Sequence, residues 1–416
     1  MAHDKANPRR DWTVIGLVSY PHMFSHIYGM VLPPLFMVLK GEFDVSFTQL
    51  GLLVSVFGVA SGVGQTPVGF LVDRWGARPV LVFGTIIESL SILGIGFSDS
   101  YWQLLVLYAI AGIFNSVYHP ADYAILAAQV AKKRLGRAIG VHSFCGNLGW
   151  AITPMFMAGV TLIWGWRAAF IAIGALGLVF VPVLFARWNM ISNAAKATAG
   201  KKKAAPDTSA RAGVALLTST PILMCFAFYV LQGMGFGGMR SFFIAASDAA
   251  NGTPFDVASM ALSGMMFGAS VGILAGGFLA DLSGRTFPIA VTSLSIAGIG
   301  VALSGAFDLP SFALVAILSL TGFTQGIFNP VRDLMVRSIT PDGQMGKVMG
   351  FVSSGMNLSS GIVPLVYGWL MDHNEPRLVI YLSAAMIAVA LFTFVGVKTQ
   401  VVAPAAAAKQ AREAAA

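Results

Sequence analysis

Twelve apolar stretches, each long enough to cross a bilayer, follow one another along this chain, and they constrain its fold more than any other feature. A helix needs about 20 apolar residues to span the hydrocarbon layer. Inside that layer every backbone N–H and C=O has to be bonded within the protein, which an α-helix achieves alone. The first six stretches run near 13–39, 47–72, 78–98, 101–130, 137–163 and 167–187. The second six run near 214–246, 255–281, 286–307, 310–338, 345–371 and 376–397. Several are longer than a straight crossing requires, so tilt or kinks are expected, with Pro33-Pro34 and Pro120 as kink points. Only 11% of the 416 residues are charged, against about 25% in soluble domains. Lipid is the solvent such a composition requires.

The fold expected is therefore an all-α membrane protein of twelve transmembrane helices in two six-helix bundles. Residues 1–187 form the first bundle and 214–402 the second. Residues 188–213 read as a basic linker with Lys201, Lys202 and Lys203 in a row, and 403–416 as a disordered tail. Lysine and arginine set orientation. With the N-terminus inside, the inner segments hold 21 of the 26 Lys+Arg, and the outer loops hold three: Lys40, Arg167 and Arg377. The net charge of +8 is thus a topology signal and not a nucleic-acid footprint. The expected setting is a cell inner membrane, with both termini cytoplasmic and the chain a monomer. Cys145 and Cys225 lie in apolar stretches and suit packing, not a disulfide or zinc framework.

The halves repeat each other. Gly69-Phe70-Leu71-Val72-Asp73-Arg74-Trp75-Gly76 follows span two, and Gly277-Phe278-Leu279-Ala280-Asp281-Leu282-Ser283-Gly284 follows span eight. At an offset of 210, Asn147-Leu148 matches Asn357-Leu358 and Pro154 matches Pro364. Parallel repeats of this kind suit a two-bundle transporter with a central site.

The stretch 69–81 resembles the signature loop of the major facilitator superfamily, Gly-x-Leu-x-Asp-Arg-x-Gly-Arg. The stretches 25–53 and 112–126, with the His119-Pro120 pair in span four, resemble the bacterial branch that includes fosmidomycin-resistance exporters. The resemblance implies alternating access. It also implies an inner gate latch of Asp73, Arg74, Gly76 and Arg78 that closes in the outward-open state. Asp281, Gly284 and Arg285 would be a weaker second copy, because Leu282 replaces the arginine. Two departures count against drug–proton antiport: Tyr108 stands where many antiporters carry an arginine, and their span-five Gly-Pro motif is not reproduced around Gly146, Gly149 and Pro154.

Ionisable groups at membrane depth are costly and mark function by default. His22 and His26 share one face of span one, and His119 and Asp122 lie one turn apart on span four, which predicts a His119–Asp122 pair. At the 210 offset Asp122 falls on Arg332, so the halves could face Asp122 with Arg332 across a cavity; the alternative pairs Arg332 with Asp333. Arg240 sits among the span-seven glycines and would attract a carboxylate or phosphonate. Glu88 reads as structural and peripheral, and His142 is ambiguous. The expected solute-binding set is His26, Tyr28, Asn115, Tyr118, Arg240, Asn329, Arg332 and Asn357. The expected proton-coupling set is His22, His26, His119, Asp122 and Asp333.

Function is then secondary active transport of a small organic anion, proton-coupled, with no cofactor. Drug efflux and a non-transporting sensor are the alternatives. An enzyme is not expected: there is no HExxH and no paired cysteines, and no GxxxxGK[ST] loop suggests ATP drive.

Overall fold

The computed structural model describes residues 8–191, 215–283, 286–341 and 344–414. Among these, eleven helices are long and apolar enough to cross a membrane. One of them, Arg134–Ala186, holds two crossings. Gly165 interrupts it at φ +85, a left-handed conformation that L side chains resist. Two arms diverge from that residue. Arg134 pairs with Asp11 at the start of span one, while Gly149 packs on Met23 and His26 further along it. Beyond the kink, Phe180 stacks on Tyr20, back toward that start. The chain has reversed, and the expected spans five and six are both present.

The kinks fall where proline breaks the bonding ladder. Span one is a helix over Pro8–Tyr28, a 3₁₀ turn at Pro33–Leu35 and a short helix over Phe36–Phe43. Span four divides into Tyr101–Asn115 and Tyr118–Gln129. Pro120 has no N–H to offer the Ser116 carbonyl, so the helix parts at that carbonyl. Span two, Phe47–Trp75, begins on a capping box: Ser46 Oγ accepts from the Gln49 N–H, and Gln49 Oε1 accepts from the Ser46 N–H at 2.9 Å.

Spans three and seven to ten are Ala77–Ile95, Thr220–Asn251, Phe255–Ser283, Thr286–Ala306 and Ser311–Ile339. Span eleven is Met345–Asp372. In span eight Gly264, Gly268, Gly272 and Gly276 recur every fourth residue and press against Ser319, Phe323, Gly326 and Ile327 of span ten. Small residues at this spacing let backbones touch where lipid offers no hydrophobic drive between helices. The Gly-x-Ser-x-Gly spelled by 268–272 belongs to this stripe. Its Ser270 hydroxyl donates to the Met266 carbonyl of its own helix, mid-span, with no strand-to-helix turn.

One expectation changes at the edge of the chain. Span twelve continues as helix from Pro376 to Ala414, through the tail expected to be disordered, because a run such as Ala405–Ala408 is the strongest of helix formers. The basic linker, with Lys201–Lys203, lies outside the described residues.

The halves meet at the end opposite the termini. Asp372, closing span eleven, accepts hydrogen bonds from the Phe47 N–H (2.7 Å), the Thr48 N–H (2.9 Å) and the Thr48 hydroxyl (2.6 Å) at the start of span two. Gly51 lies against the Pro364 carbonyl and Gly368 against that of Phe47. Phe36 and Phe47 pack on Phe242 of span seven. Spans five and eight touch where the Met155 N–H reaches Ser263 Oγ. At the other end Asp73 is exposed, and its carboxylate has no hydrogen bond among the described residues.

Candidate solute cavity and its flanking clusters

A cavity of about 260 Å³ lies between the halves. His26 and Ser25 of span one line it, with Asn115, Tyr118 and His119 of span four and Trp150 of span five. Arg240, Ser241 and Asn357 line it from the second half. Of the expected solute-binding residues, His26, Asn115, Tyr118, Arg240 and Asn357 are therefore brought to one space.

Arg240 is the cavity's cation. Its guanidinium stacks over the Trp150 ring at 4.8 Å, and Trp150 is in turn 4.4 Å from the His26 ring. Among the described residues no carboxylate lies within ion-pair reach of Arg240. Trp150 escaped sequence reading, because a tryptophan in an apolar span carries no signal of its own. Asn115 is held from three sides: its amide donates to the Ser25 carbonyl and to Glu88 Oε1 (2.8 Å), and its oxygen accepts from the Ser61 hydroxyl. Glu88 is thus not peripheral but fully buried, one hydrogen bond behind the cavity wall. A lone carboxyl in span three could not be placed because its partner stands in span four.

Three expected residues stand elsewhere. Tyr28 is fully buried; its hydroxyl meets Ser89 Oγ and its carbonyl accepts from Tyr108, a helix-to-helix role in place of a solute contact. Asn329 and Arg332 belong to a second cluster, in spans seven and ten. There Arg332 Nε donates to Asp333 at 2.9 Å and Nη1 to Gln232 Oε1 at 2.9 Å, with the guanidinium over the Tyr229 ring. The Tyr229 hydroxyl donates to Asp333, and Gln232 Nε2 reaches Asn329. The Asp122–Arg332 pairing is overturned: Arg332 is paired with Asp333 in its own half, and Asp122 faces imidazoles of the other half, its own.

The third cluster surrounds Asp122. Its carboxylate faces not His119 but His22 Nδ1 at 3.4 Å and His142 Nε2 at 3.5 Å. His119 and Asp122 share span four, yet the His119 ring turns toward His22, 5.2 Å away between centroids, and toward the cavity. His142 stacks on His22 at 3.8 Å and is part of the cluster. His22, Asp122 and His142 are all closed to solvent.

The signature loop is not latched. Arg78 donates to the Trp188 and Ile191 carbonyls and stacks on the Trp188 ring, tying span three to the end of span six, while Asp73 and Arg74 are exposed. Gly76 ends span two at φ 97, where a side chain would be strained. Gly284 and Arg285 of the second copy lie outside the described residues, as does the side chain of Asp281.

Two matches to the family model described as Major Facilitator Superfamily cover residues 22–249 and 231–415. The chain is 25% identical over 392 residues to the uncharacterized MFS-type transporter YfnC of Bacillus subtilis, covering 93% of this chain and 91% of that one. It is 23% identical over 379 residues to the fosmidomycin resistance protein of Escherichia coli, covering 90% of each. A solved bacterial homologue of the human lysosomal transporter Spinster, inward-facing and occupied, superposes with a TM-score of 0.79 at 14% identity, covering 95% of this chain and 98% of that one. With its twelve crossings, its paired bundles and a family match that runs through nearly the whole chain, the protein belongs to the Major Facilitator Superfamily.

Proposed function

We propose that this transporter moves a small organic anion, carboxylate-like, by alternating access across a cell inner membrane, coupled to protons, with both termini cytoplasmic. The observation that carries the reading is Arg240: a cation on the wall of a cavity between two bundles, braced by Trp150, with no carboxylate neutralising it among the described residues. A charge left so in low dielectric favours an anionic guest, and guanidinium geometry suits a carboxylate. Asn115 and Asn357, each on the wall, can orient the remainder of the solute.

Coupling is assigned to Asp333. It is nearly half exposed and holds both Arg332 and the Tyr229 hydroxyl. A proton on Asp333 would remove the charge that holds Arg332 and loosen span ten from span seven. A drug-efflux reading draws on the likeness to the fosmidomycin resistance protein and keeps the same cavity.

The test is counterflow in proteoliposomes, with organic anions and neutral drugs side by side. Arg240→Ala is expected to lower anion uptake more than about 100-fold, about 2.7 kcal/mol, with the protein still monodisperse. Arg240→Lys should recover part of it. Anion uptake at the normal rate in Arg240→Ala would sink the anion reading.

A further inference from the structure

The Asp122 cluster stands behind the cavity wall and is not needed by the Arg240 site. Three of its side chains come from three different spans: His22 from span one, Asp122 from span four and His142 from span five. Asp122 and His142 have no exposure at all, and His22 is 2% exposed. Neither carboxylate oxygen of Asp122 has a hydrogen-bond partner, nor has Nδ1 of His22, nor either ring nitrogen of His142. Five buried polar atoms are left unbonded here, and three of them, His22 Nδ1, Asp122 Oδ2 and His142 Nε2, meet at the Asp122 oxygen. Native proteins rarely leave such groups without a partner.

The spacing suits a shared cation. One donor atom from each residue can be chosen so that all three lie within 4.8 Å of one another. The two imidazole–carboxylate separations are 3.4 and 3.5 Å, long for hydrogen bonds. They match the edge of a metal's coordination shell: bonds of about 2.0–2.1 Å at tetrahedral angles put neighbouring ligand atoms about 3.3–3.4 Å apart. Two imidazoles and a carboxylate suit a borderline divalent ion of the zinc, cobalt or nickel kind, and not calcium or magnesium, which take oxygen.

We propose that His22, Asp122 and His142 form a binding site for one divalent transition-metal ion, with a fourth coordination position open. The ion would enter from the solute cavity. His26 and His119 line that cavity, and both rings lie against His22, at 4.6 and 5.2 Å between centroids. Two partly exposed imidazoles at the entrance to three buried ligands make a path of the same chemistry as the site. The ion would fasten spans one, four and five of the first bundle together. The Arg240 reading does not depend on it.

The experiment uses the full-length chain in detergent, purified without a histidine tag and stripped with a chelator. Equilibrium dialysis against Zn²⁺, with bound metal counted by mass spectrometry, is expected to give one ion per chain. His142→Ala and Asp122→Asn should each weaken binding at least tenfold. His373→Ala, at an exposed histidine, should leave it unchanged. Because a variant of a buried cluster can fail to fold, the zinc-loaded wild type is also read by X-ray absorption. An N/O shell at about 2.0–2.1 Å with scattering from two imidazoles is expected. Sub-stoichiometric zinc, equal binding in the ligand variants, or a shell without imidazole would overturn the proposal.

Discussion

The two halves place the same three positions together and fill them with opposite chemistry. In the first, His22 faces Asp122 and lies against His119. Shifted by 210 residues, Gln232 bonds Arg332 and reaches Asn329. The backbone arrangement has been kept while the charge has been inverted, from a carboxylate among imidazoles to a guanidinium among amides. Satisfaction differs too. Arg332 is neutralised by Asp333, bonded by Gln232 and covered by Tyr229, whereas Asp122 has no hydrogen bond at all. At the same offset Gly146 corresponds to Met356 and His142 to Val352. The first half has cleared room for rings where the second is filled with apolar side chains. A pseudo-symmetric fold thus specifies where polar groups gather but not what they bind. One cluster is complete in itself, and the other is built for a guest.

The sharpest way to break that comparison is Arg332→Ala. If the second cluster is the moving contact between spans seven and ten, uptake should fall more than about 100-fold. In free energy, stability should fall by a similar or smaller amount. Asp333 is nearly half exposed and can return to water, so the cost is about 1–3 kcal/mol for the lost hydrogen bonds. Adding Asp333→Ala should restore part of the stability and none of the uptake. Thermal melting beside proteoliposome uptake reads both. Normal uptake in Arg332→Ala would make this cluster a passive brace and leave Asp333 without a coupling role.

Sequence periodicity carried the crossings well, because a lipid-facing helix has to be apolar along its whole length and charge can be read where it ends. The two proline breaks were legible for the same local reason. The clusters were not, since a partner one turn away on the same helix competes with partners on other helices. His119 and Asp122 share a helix face, yet Asp122 took His22 and His142 from spans one and five. The symmetry argument for Asp122 and Arg332 failed differently: equivalent positions in two halves lie at equivalent places, not necessarily within reach. Asp372 left a faint trace, a lone carboxylate at the end of span eleven. Its partners, the free N–H groups that begin span two, are backbone and leave no mark in a sequence.

Gly146 tests the room itself. A Cβ there would stand 2.8 Å from His22 Nε2 and 2.9 Å from His26 Cε1. Gly146→Ala should therefore push both rings, at about 1–3 kcal/mol of overpacking, and weaken Zn²⁺ binding about tenfold. Met356→Ala, at the corresponding place in the second half, should leave zinc affinity as it was. Zinc titration of the two variants makes the comparison directly. An unchanged affinity in Gly146→Ala would mean that the His22 ring tolerates displacement and is not a ligand.

The smallest effect belongs to the seam between the halves. Asp372 accepts three hydrogen bonds from Phe47 and Thr48. As a capping carboxylate at the start of span two it also meets the positive end of that helix. In Asp372→Asn the amide keeps one acceptor oxygen and turns a donor toward donors. Bonds to a charged group are worth about 1.5–3 kcal/mol. This side chain is part-exposed, and screening reduces that to about 1 kcal/mol. One such step moves a two-state population about fivefold, away from closure at this end. Spin labels on spans two and eleven would report it as growth of a longer distance, with zinc binding and the Arg332 cluster untouched. An unshifted distance distribution would assign the closure to Phe36, Phe47 and Phe242 packed together, and the ring of hydrogen bonds at Asp372 would be a consequence of that packing.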